Sequence, residues 1–248
     1  MKQNIYDNDI FFDNYKLMRE TGEGLNDSIE IPAMLSLLPD VRDKSILDLG
    51  CGMGDLCLKF KELGANIITG IDISEKMTSI AKEKSQIFEN IFIETIPMED
   101  FLYKENEYDI VVSSLALHYI KDINDIFNKV NRSLKESGYF IFSIEHPLVT
   151  CILNYNSKWV RDENGIKMFW KVDSYSDEGI RNNKWFVKDV IKYHRTISTI
   201  MNQLIENNFK ILKILEPHAN ELDEVNRPEL LEERKRPPFL LIKSLKFI

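Results

Sequence analysis

Short apolar runs alternate with amphipathic segments between residues 45 and 145. Apolar runs of about five residues suit strands buried on both faces, and apolar residues recurring every three or four positions suit helices lying over them. The pattern predicts a strand at Ser45–Gly50 and a helix at Asp55–Leu63, with Leu56, Phe60 and Leu63 on its inner face and Gly64 stopping it. A second strand, Asn66–Ile71, leads to a helix capped by Ser74 with Met77, Ile80 and Ala81 inward. Ile91–Thr95 and Tyr108–Ser113 are the third and fourth strands. A helix capped by Asp122 then carries Ile123, Ile126, Phe127, Val130 and Leu134, and Tyr139–Ile144 is a fifth strand. Alternation of this kind signals parallel βαβ units, so the expected fold class is α/β, doubly wound.

The alternation breaks after residue 146. Residues 147–193 hold Trp159, Trp170 and Trp185 among tyrosines and Asn/Asp/Gly turn signals, the pattern of an insertion of short strands and loops. Its aromatic residues either form a small satellite core or wall a lid over a ligand. Helical spacing returns at Ile197, Ile200, Leu204 and Ile205, followed by a strand at Phe209–Leu215. Pro217–Pro238 is a polar excursion and Phe239–Ile248 a closing strand, while residues 1–44 read as helical, punctuated by Pro32 and Pro39. Four regions follow: a helical cap (1–44), a ligand-binding core (45–146), an inserted lid or substrate region (147–193) and a C-terminal helix with a strand pair (194–248).

Composition narrows the classes. Hydrophobic residues make up 44% of the 248, enough for a substantial core, and the net charge of -8 gives no pull toward nucleic acid or an anionic membrane. The basic cluster Arg234-Lys235-Arg236 sits beside Glu232 and Glu233 and reads as a solvated turn. No window is apolar enough to span a membrane, and Met1–Asp7 lacks the apolar run of a signal peptide. Cys51, Cys57 and Cys151 have no metal-like spacing and fit a reduced, cytoplasmic protein. The four histidines are scattered, so no metal is expected.

The strongest chemical signal is the turn after the first strand. Ile46-Leu47-Asp48-Leu49-Gly50-Cys51-Gly52-Met53-Gly54-Asp55 carries a strand into a helix through three glycines, where a Cβ would block the approach of a ligand to backbone. Dinucleotide enzymes place a further glycine three residues after the second one. Here that position is Asp55, which repels phosphate, and Asp48 adds a second acid. A cationic ligand suits these acids better, and S-adenosylmethionine is cationic at its sulfonium and its amino group. Asp72, ending the second strand, can accept both hydroxyls of a ribose lying over the sheet edge.

With these residues the chain resembles class I S-adenosylmethionine-dependent methyltransferases, and within them a bacterial small-molecule group of unassigned substrates. The resemblance rests on Ile46–Asp55, on Asp72, and on Tyr108-Asp109-Ile110-Val111-Val112-Ser113-Ser114-Leu115-Ala116-Leu117-His118-Tyr119. It extends to Asn26…Glu30-Ile31-Pro32-Ala33, Ser143-Ile144-Glu145-His146-Pro147, His194-Arg195-Thr196 opening a helix, and Arg236-Pro237-Pro238-Phe239 at the last strand. It implies a Rossmann-like seven-stranded sheet in the order 3-2-1-4-5-7-6, strand 7 antiparallel. It also places Asp48, Gly50 and Gly52, with Cys51 inside the same turn, at the methionine portion of the cofactor and Asp72 at the ribose. Ile73, Met77, Met98 and Glu99 fall near the adenine. Many relatives have an acid where this chain has Pro97, so that contact is either absent or passes to Glu99. Ser114 and His118 fall near the sulfonium, and Tyr15 and Arg19 are candidates to close over the methionine carboxylate.

Methyl transfer needs alignment in a dry site, and needs a base only when the nucleophile must lose a proton early. His118, His146 and His194 are the candidate bases; each can equally be a structural hydrogen-bonding residue. The expected activity is transfer of methyl to an oxygen or nitrogen of a small molecule, leaving S-adenosylhomocysteine. The alternatives are a non-catalytic module that binds the same cofactor, and an NAD-type oxidoreductase, which Asp55 disfavours.

Overall fold

A computed structural model describes residues 2–22, 24–153 and 159–247. In chain order the elements begin with α1 (Asp9–Thr21), α2 (Ile31–Leu37), β1 (Ser45–Leu49), α3 (Asp55–Glu62), β2 (Ile67–Asp72), α4 (Glu75–Ser85), β3 (Ile91–Thr95) and β4 (Tyr108–Ser113). They continue with α5 (Ile123–Ser133), β5 (Leu134–Glu145), α6 (Pro147–Thr150), β6 (Trp159–Arg161), β7 (Lys167–Trp170), β8 (Gly179–Trp185) and β9 (Val187–His194). The chain closes with α7 (Ile197–Glu206), β10 (Phe209–Leu215), α8 (Glu221–Asn226) and β11 (Phe239–Lys246).

Seven strands form one sheet in the order β10-β11-β5-β4-β1-β2-β3. The first five strands of the chain run parallel, and β11 is antiparallel to both β5 and β10. Counting only this sheet, that is the order expected from the resemblance, with the last strand inserted antiparallel beside the fifth. Two apolar layers sandwich it. Phe127, Phe140, Phe142, Leu204 and Phe209 pack on one side under α5 and α7, and Met34, Leu37, Phe60 and Ile68 pack on the other. Both faces are therefore dry, which is why the central strands are apolar runs rather than alternating ones.

Several expectations are corrected. Leu134 does not end the helix of Asp122; α5 stops at Ser133, and Leu134 is extended and pairs with Tyr108 across a register shift. It is fully buried there, so an apolar residue at helical spacing serves equally as the first residue of a strand. His194 closes β9 opposite Gly179 instead of opening α7, whose cap is Thr196, its hydroxyl accepting from the Thr199 N–H. The polar excursion holds α8 and a 3-10 helix at Pro228–Lys235. Arg236 is not solvated: it is 8% exposed, its charge shared with Glu233 and its guanidinium covered by tryptophan rings. The insertion is two antiparallel hairpins, β6–β7 and β8–β9. Ile248, in the expected closing strand, lies outside the described residues.

Candidate functional site

The parallel strands end on one edge of the sheet, where ligands of open α/β sheets bind. A cavity of about 900 Å³ lies along that edge, near the upper end of the range for small-ligand sites. β1 delivers the glycine turn to it. Gly50 has φ +79°, and a Cβ there would lie 2.4 Å from the Cβ of Ala116, so only glycine fits between the first and fourth strand ends. The Gly50 and Cys51 N–H groups both donate to the Ile71 carbonyl, at 2.8 and 2.9 Å, pinning the turn to β2. Gly52, at φ +53°, has nothing within 4 Å of where its Cβ would stand. Its backbone is bare toward the cavity.

The acids around this turn are set in place before any ligand arrives. Asp72 accepts the Gly52 N–H on one oxygen and the Ser74 N–H on the other, each at 2.9 Å. Burial raises its pKa and these N–H bonds oppose the rise. Each oxygen keeps lone-pair capacity for a further donor such as a hydroxyl. Asp48 is 1% exposed; one oxygen receives the Cys57 thiol at 3.5 Å, and Oδ1 has no partner among the described residues. Burial pushes its pKa up to about 7. A buried carboxylate oxygen without a donor beside a bare glycine turn fits a ligand that brings positive charge or N–H groups. Asp55 has a different duty from the one its position implied. It pairs with Lys84 at 2.5 Å and reaches Arg19 at 3.6 Å, so its charge is met by the protein's own cations.

The remaining predicted cofactor residues converge. Cys51, Ile73, Met77, Met98, Glu99, Ser114, His118, Tyr15 and Arg19 all line the same cavity as Asp48, Gly50, Gly52 and Asp72. Arg19 is held by Asp27 at 3.2 Å and by Asp55, and Tyr15, one turn earlier on α1, packs edge-on against Tyr6 and Trp185. The loop carrying Met98 and Glu99 is fixed through its carbonyls: Pro97 accepts from Asp100 and Phe101, Met98 from the Tyr103 hydroxyl, Glu99 from Lys129. Ser114 donates to Glu30, a fully buried carboxylate that also accepts from Ser143 at 2.5 Å. Leu115 follows at φ +50°, a conformation that non-glycine residues enter at a cost. Its N–H donates to both oxygens of Ser143, the side-chain bond being 2.9 Å.

The three candidate bases separate. His118 lines the cavity; burial pulls its pKa down to about 3, and its Nδ1 accepts the Glu145 N–H at 3.4 Å. His146 is not on the cavity wall. Its Nδ1 caps α6 by accepting the Leu148 N–H, and its Nε2 meets Glu216 at 2.9 Å. His194 is fully buried between the Thr150 hydroxyl at 2.8 Å and the Tyr175 carbonyl at 2.9 Å, also away from the cavity. Burial lowers the pKa of both.

Some cavity residues had little or no sequence signal. Glu145 was visible as the acid ending the fifth strand. Gln3 and Tyr6 reach the wall from the first residues without such a signal, Trp185 comes from the segment read as a lid or satellite core, and Arg236, part of the resemblance, was read as a solvated turn. Lys192, 5% exposed, bonds Glu145 at 2.7 Å and lies over the rings of Tyr119 and Trp185 at 5.6 and 5.2 Å. The Tyr6 and Tyr119 hydroxyls are 3.5 Å apart. Among the described residues no cluster of His, Cys, Asp or Glu could hold a metal ion, and no helix is long and apolar enough to cross a membrane.

Sheet order, glycine turn and paired acids define a nucleoside-binding α/β protein of the methyltransferase class. The methyltransferase-domain family matches residues 40–212, and the chain belongs to it. An uncharacterized protein of Haemophilus influenzae is 36% identical over 99% of this chain and 98% of its own length. A solved S-adenosylmethionine-dependent methyltransferase from Mesorhizobium loti is 36% identical, with a TM-score of 0.80 over 86% of this chain and 96% of that one. A Listeria monocytogenes structure, described as a candidate enzyme of the same kind, is 39% identical with a TM-score of 0.80 over 88% of this chain and 97% of that one. The cofactor is S-adenosylmethionine, and the orphaned Asp48 oxygen and bare Gly52 backbone fit its cationic methionine end.

Proposed function

We propose that this protein transfers the methyl group of S-adenosylmethionine to an oxygen or nitrogen of a small molecule held beside the glycine turn. The observation that carries the reading is the single cavity, which joins the acidic turn at Asp48–Gly52 and Asp72 to a second wall at Glu145, Trp185 and Arg236. One half is built for a nucleoside sulfonium and the other has room for an acceptor. When bound, the cofactor supplies a methyl carbon already activated by positive sulfur. The chain's own task is to hold and align.

In this reading Asp72 takes the ribose hydroxyls, Ile73, Met77 and Met98 flank the adenine, and Asp48 with the Gly50–Gly52 backbone faces the methionine end. Arg19 closes over the methionine carboxylate, its charge restrained by Asp27 and Asp55. His118 stays neutral at physiological pH and is a weak base at a pKa of about 3, so it positions the Glu145 backbone and does not take a proton. His146 and His194 are structural. The β8–β9 hairpin acts as a lid through Trp185, which excludes water from the transfer. The β6–β7 hairpin is instead a satellite core, Trp159 and Trp170 packing edge-on at 5.1 Å.

Calorimetry with S-adenosylmethionine and with NAD tests the cofactor side; binding of NAD alone would sink the reading. Incubating the protein with methyl-labelled cofactor and an extract of small metabolites tests the transfer. Label is expected in a low-molecular-mass fraction. Tight cofactor binding with no label in any fraction would make the protein a binding module.

A further inference from the structure

The acceptor wall has a chemistry of its own. Glu145 and Arg236 line it, Lys192 and Glu233 pair with them from behind, and the two pairs differ. Lys192 is satisfied: Glu145 takes its charge, and the rings of Tyr119 and Trp185 cover it. That arrangement is a filled ammonium site, with a carboxylate and two aromatic faces around one lysine. An acceptor amine would have to displace Lys192 to use it.

Arg236 is different. It lines the cavity at 8% exposure, stacked on Trp170 at 4.3 Å and near Trp159 at 5.3 Å. Its Nη2 donates to Glu233 at 2.8 Å and its Nη1 makes a long contact to the Pro237 carbonyl at 3.4 Å. Nε has no hydrogen-bond partner among the described residues. Glu233 is moreover shared, since it also receives Lys167 at 2.8 Å. A guanidinium carries five N–H donors in a fork that matches a carboxylate, and a buried one with donors unfilled is strongly biased toward an anion.

The sheet fixes where such an anion would lie. Along the C-terminal edge the order is β2 with Asp72, β1 with the glycine turn, β4 with Ser114–Tyr119, β5 with Glu145, then β11. Because β11 is antiparallel, its first residue, Phe239, faces Glu145, and Arg236 precedes it at the same edge. Two strand spacings of about 4.8 Å separate the ends of β4 and β11, roughly 10 Å, and Arg236 lies three residues before β11. We infer that the methyl acceptor is a small organic acid whose carboxylate is received by Arg236, with its nucleophilic atom directed along the sheet edge toward Ser114–Tyr119. This rests on the methyltransferase reading above. The polarity is consistent from end to end: acids meet the cationic cofactor, and a cation meets the anionic acceptor.

The test uses the full chain saturated with S-adenosylhomocysteine, and follows tryptophan fluorescence while benzoate, phenylacetate, benzamide or benzylamine is added. Benzoate or phenylacetate is expected to bind at least tenfold tighter than benzamide, and benzylamine to bind weakest. Loss of one charged hydrogen-bonded contact in Arg236→Gln is expected to weaken the acids about tenfold or more while S-adenosylhomocysteine binds as in wild type. Equal binding of benzoate and benzamide to the wild type, no acid binding, or a preference for benzylamine would overturn the proposal, whether or not the variant folds. Failure of S-adenosylhomocysteine itself to bind would instead overturn the reading beneath it.

Discussion

The two walls of the cavity are built in opposite ways. The centre of the wall proposed for the cofactor comes from a short stretch of chain, Asp48 to Ser74, and is pinned by backbone N–H groups: Gly50 and Cys51 to the Ile71 carbonyl, Gly52 and Ser74 to the Asp72 carboxylate. The wall proposed for the acceptor gathers Glu145, Trp185 and Arg236 from segments far apart, and side-chain ion pairs and ring contacts, several made by Lys192 behind it, hold it. Backbone pinning leaves little to vary. Side-chain assembly permits exchange of one contact for another, which suits a wall that must match an acceptor rather than an invariant cofactor.

That contrast can be broken most forcefully at Gly50. Gly50→Val adds a Cβ at 2.4 Å from Ala116 in a left-handed conformation, and is expected to cost about 4 kcal/mol, read as a lowered thermal midpoint together with loss of cofactor binding. A midpoint near wild type would show the turn to be adaptable. Asp48 gives the next effect. Burial keeps its carboxyl protonated up to about pH 7 in the folded protein, against about pH 3.9 when unfolded. The folded state therefore holds a proton that the unfolded state has released, and stability from this group falls as pH rises through that window. Asp48→Asn is expected to stabilise the cofactor-free protein relative to wild type at pH 8 but not at pH 4, by up to about 4 kcal/mol. A difference that does not change with pH would refute the burial effect.

Asp72→Ala sharpens the comparison at the ribose. Removing two charged hydrogen-bond acceptances is expected to weaken S-adenosylmethionine about a hundredfold, or roughly 3 kcal/mol, with the fold retained; unchanged affinity in calorimetry would refute the ribose assignment. The smallest effect is expected at the seam between the walls. Gln3 accepts the Ile191 N–H at 2.9 Å and donates to the Asp189 carbonyl at 3.0 Å. Gln3→Ala should cost about 1 kcal/mol and speed hydrogen exchange at the Ile191 amide, leaving amides of β1 unaffected. Equal protection before and after substitution would show that this seam carries no strain.

The same contrast governs what the sequence made legible. The glycine turn and Asp72 were readable as one cavity edge because they are near one another in the chain and each type has a local reason: glycine for bare backbone, an acid at a strand end, serine at a helix start. The central strands were readable because burial on both faces removes the polar residues that would blur them. Leu134 was misplaced where a helix passes into a strand with no residue between, and His194 where only Arg195 and Thr196 separate a strand from a helix. Glu30 stood in a segment that carries the resemblance, but its role was not legible. Its role exists only because Ser114 and Ser143 come to it from two strand ends. Arg236, though part of the resemblance, has beside Glu232 and Glu233 the composition of an exposed turn, and the tryptophans of β6 and β7 that stack on it are distant in the chain.

The first seven residues have a consequence for timing. Gln3 is bonded to β9, while Asp7 accepts from the Ser74 hydroxyl at 2.5 Å and from the Glu75 and Lys76 N–H groups at the start of α4. One short strap thus grips both sides of the cavity, and Tyr6 within it lines the space between. Loosening its hold on β9 is therefore expected to speed ligand release from the side held by Asp7. Stopped-flow dissociation of S-adenosylhomocysteine should be faster from Gln3→Ala than from wild type, and an identical rate would uncouple the strap from the clock.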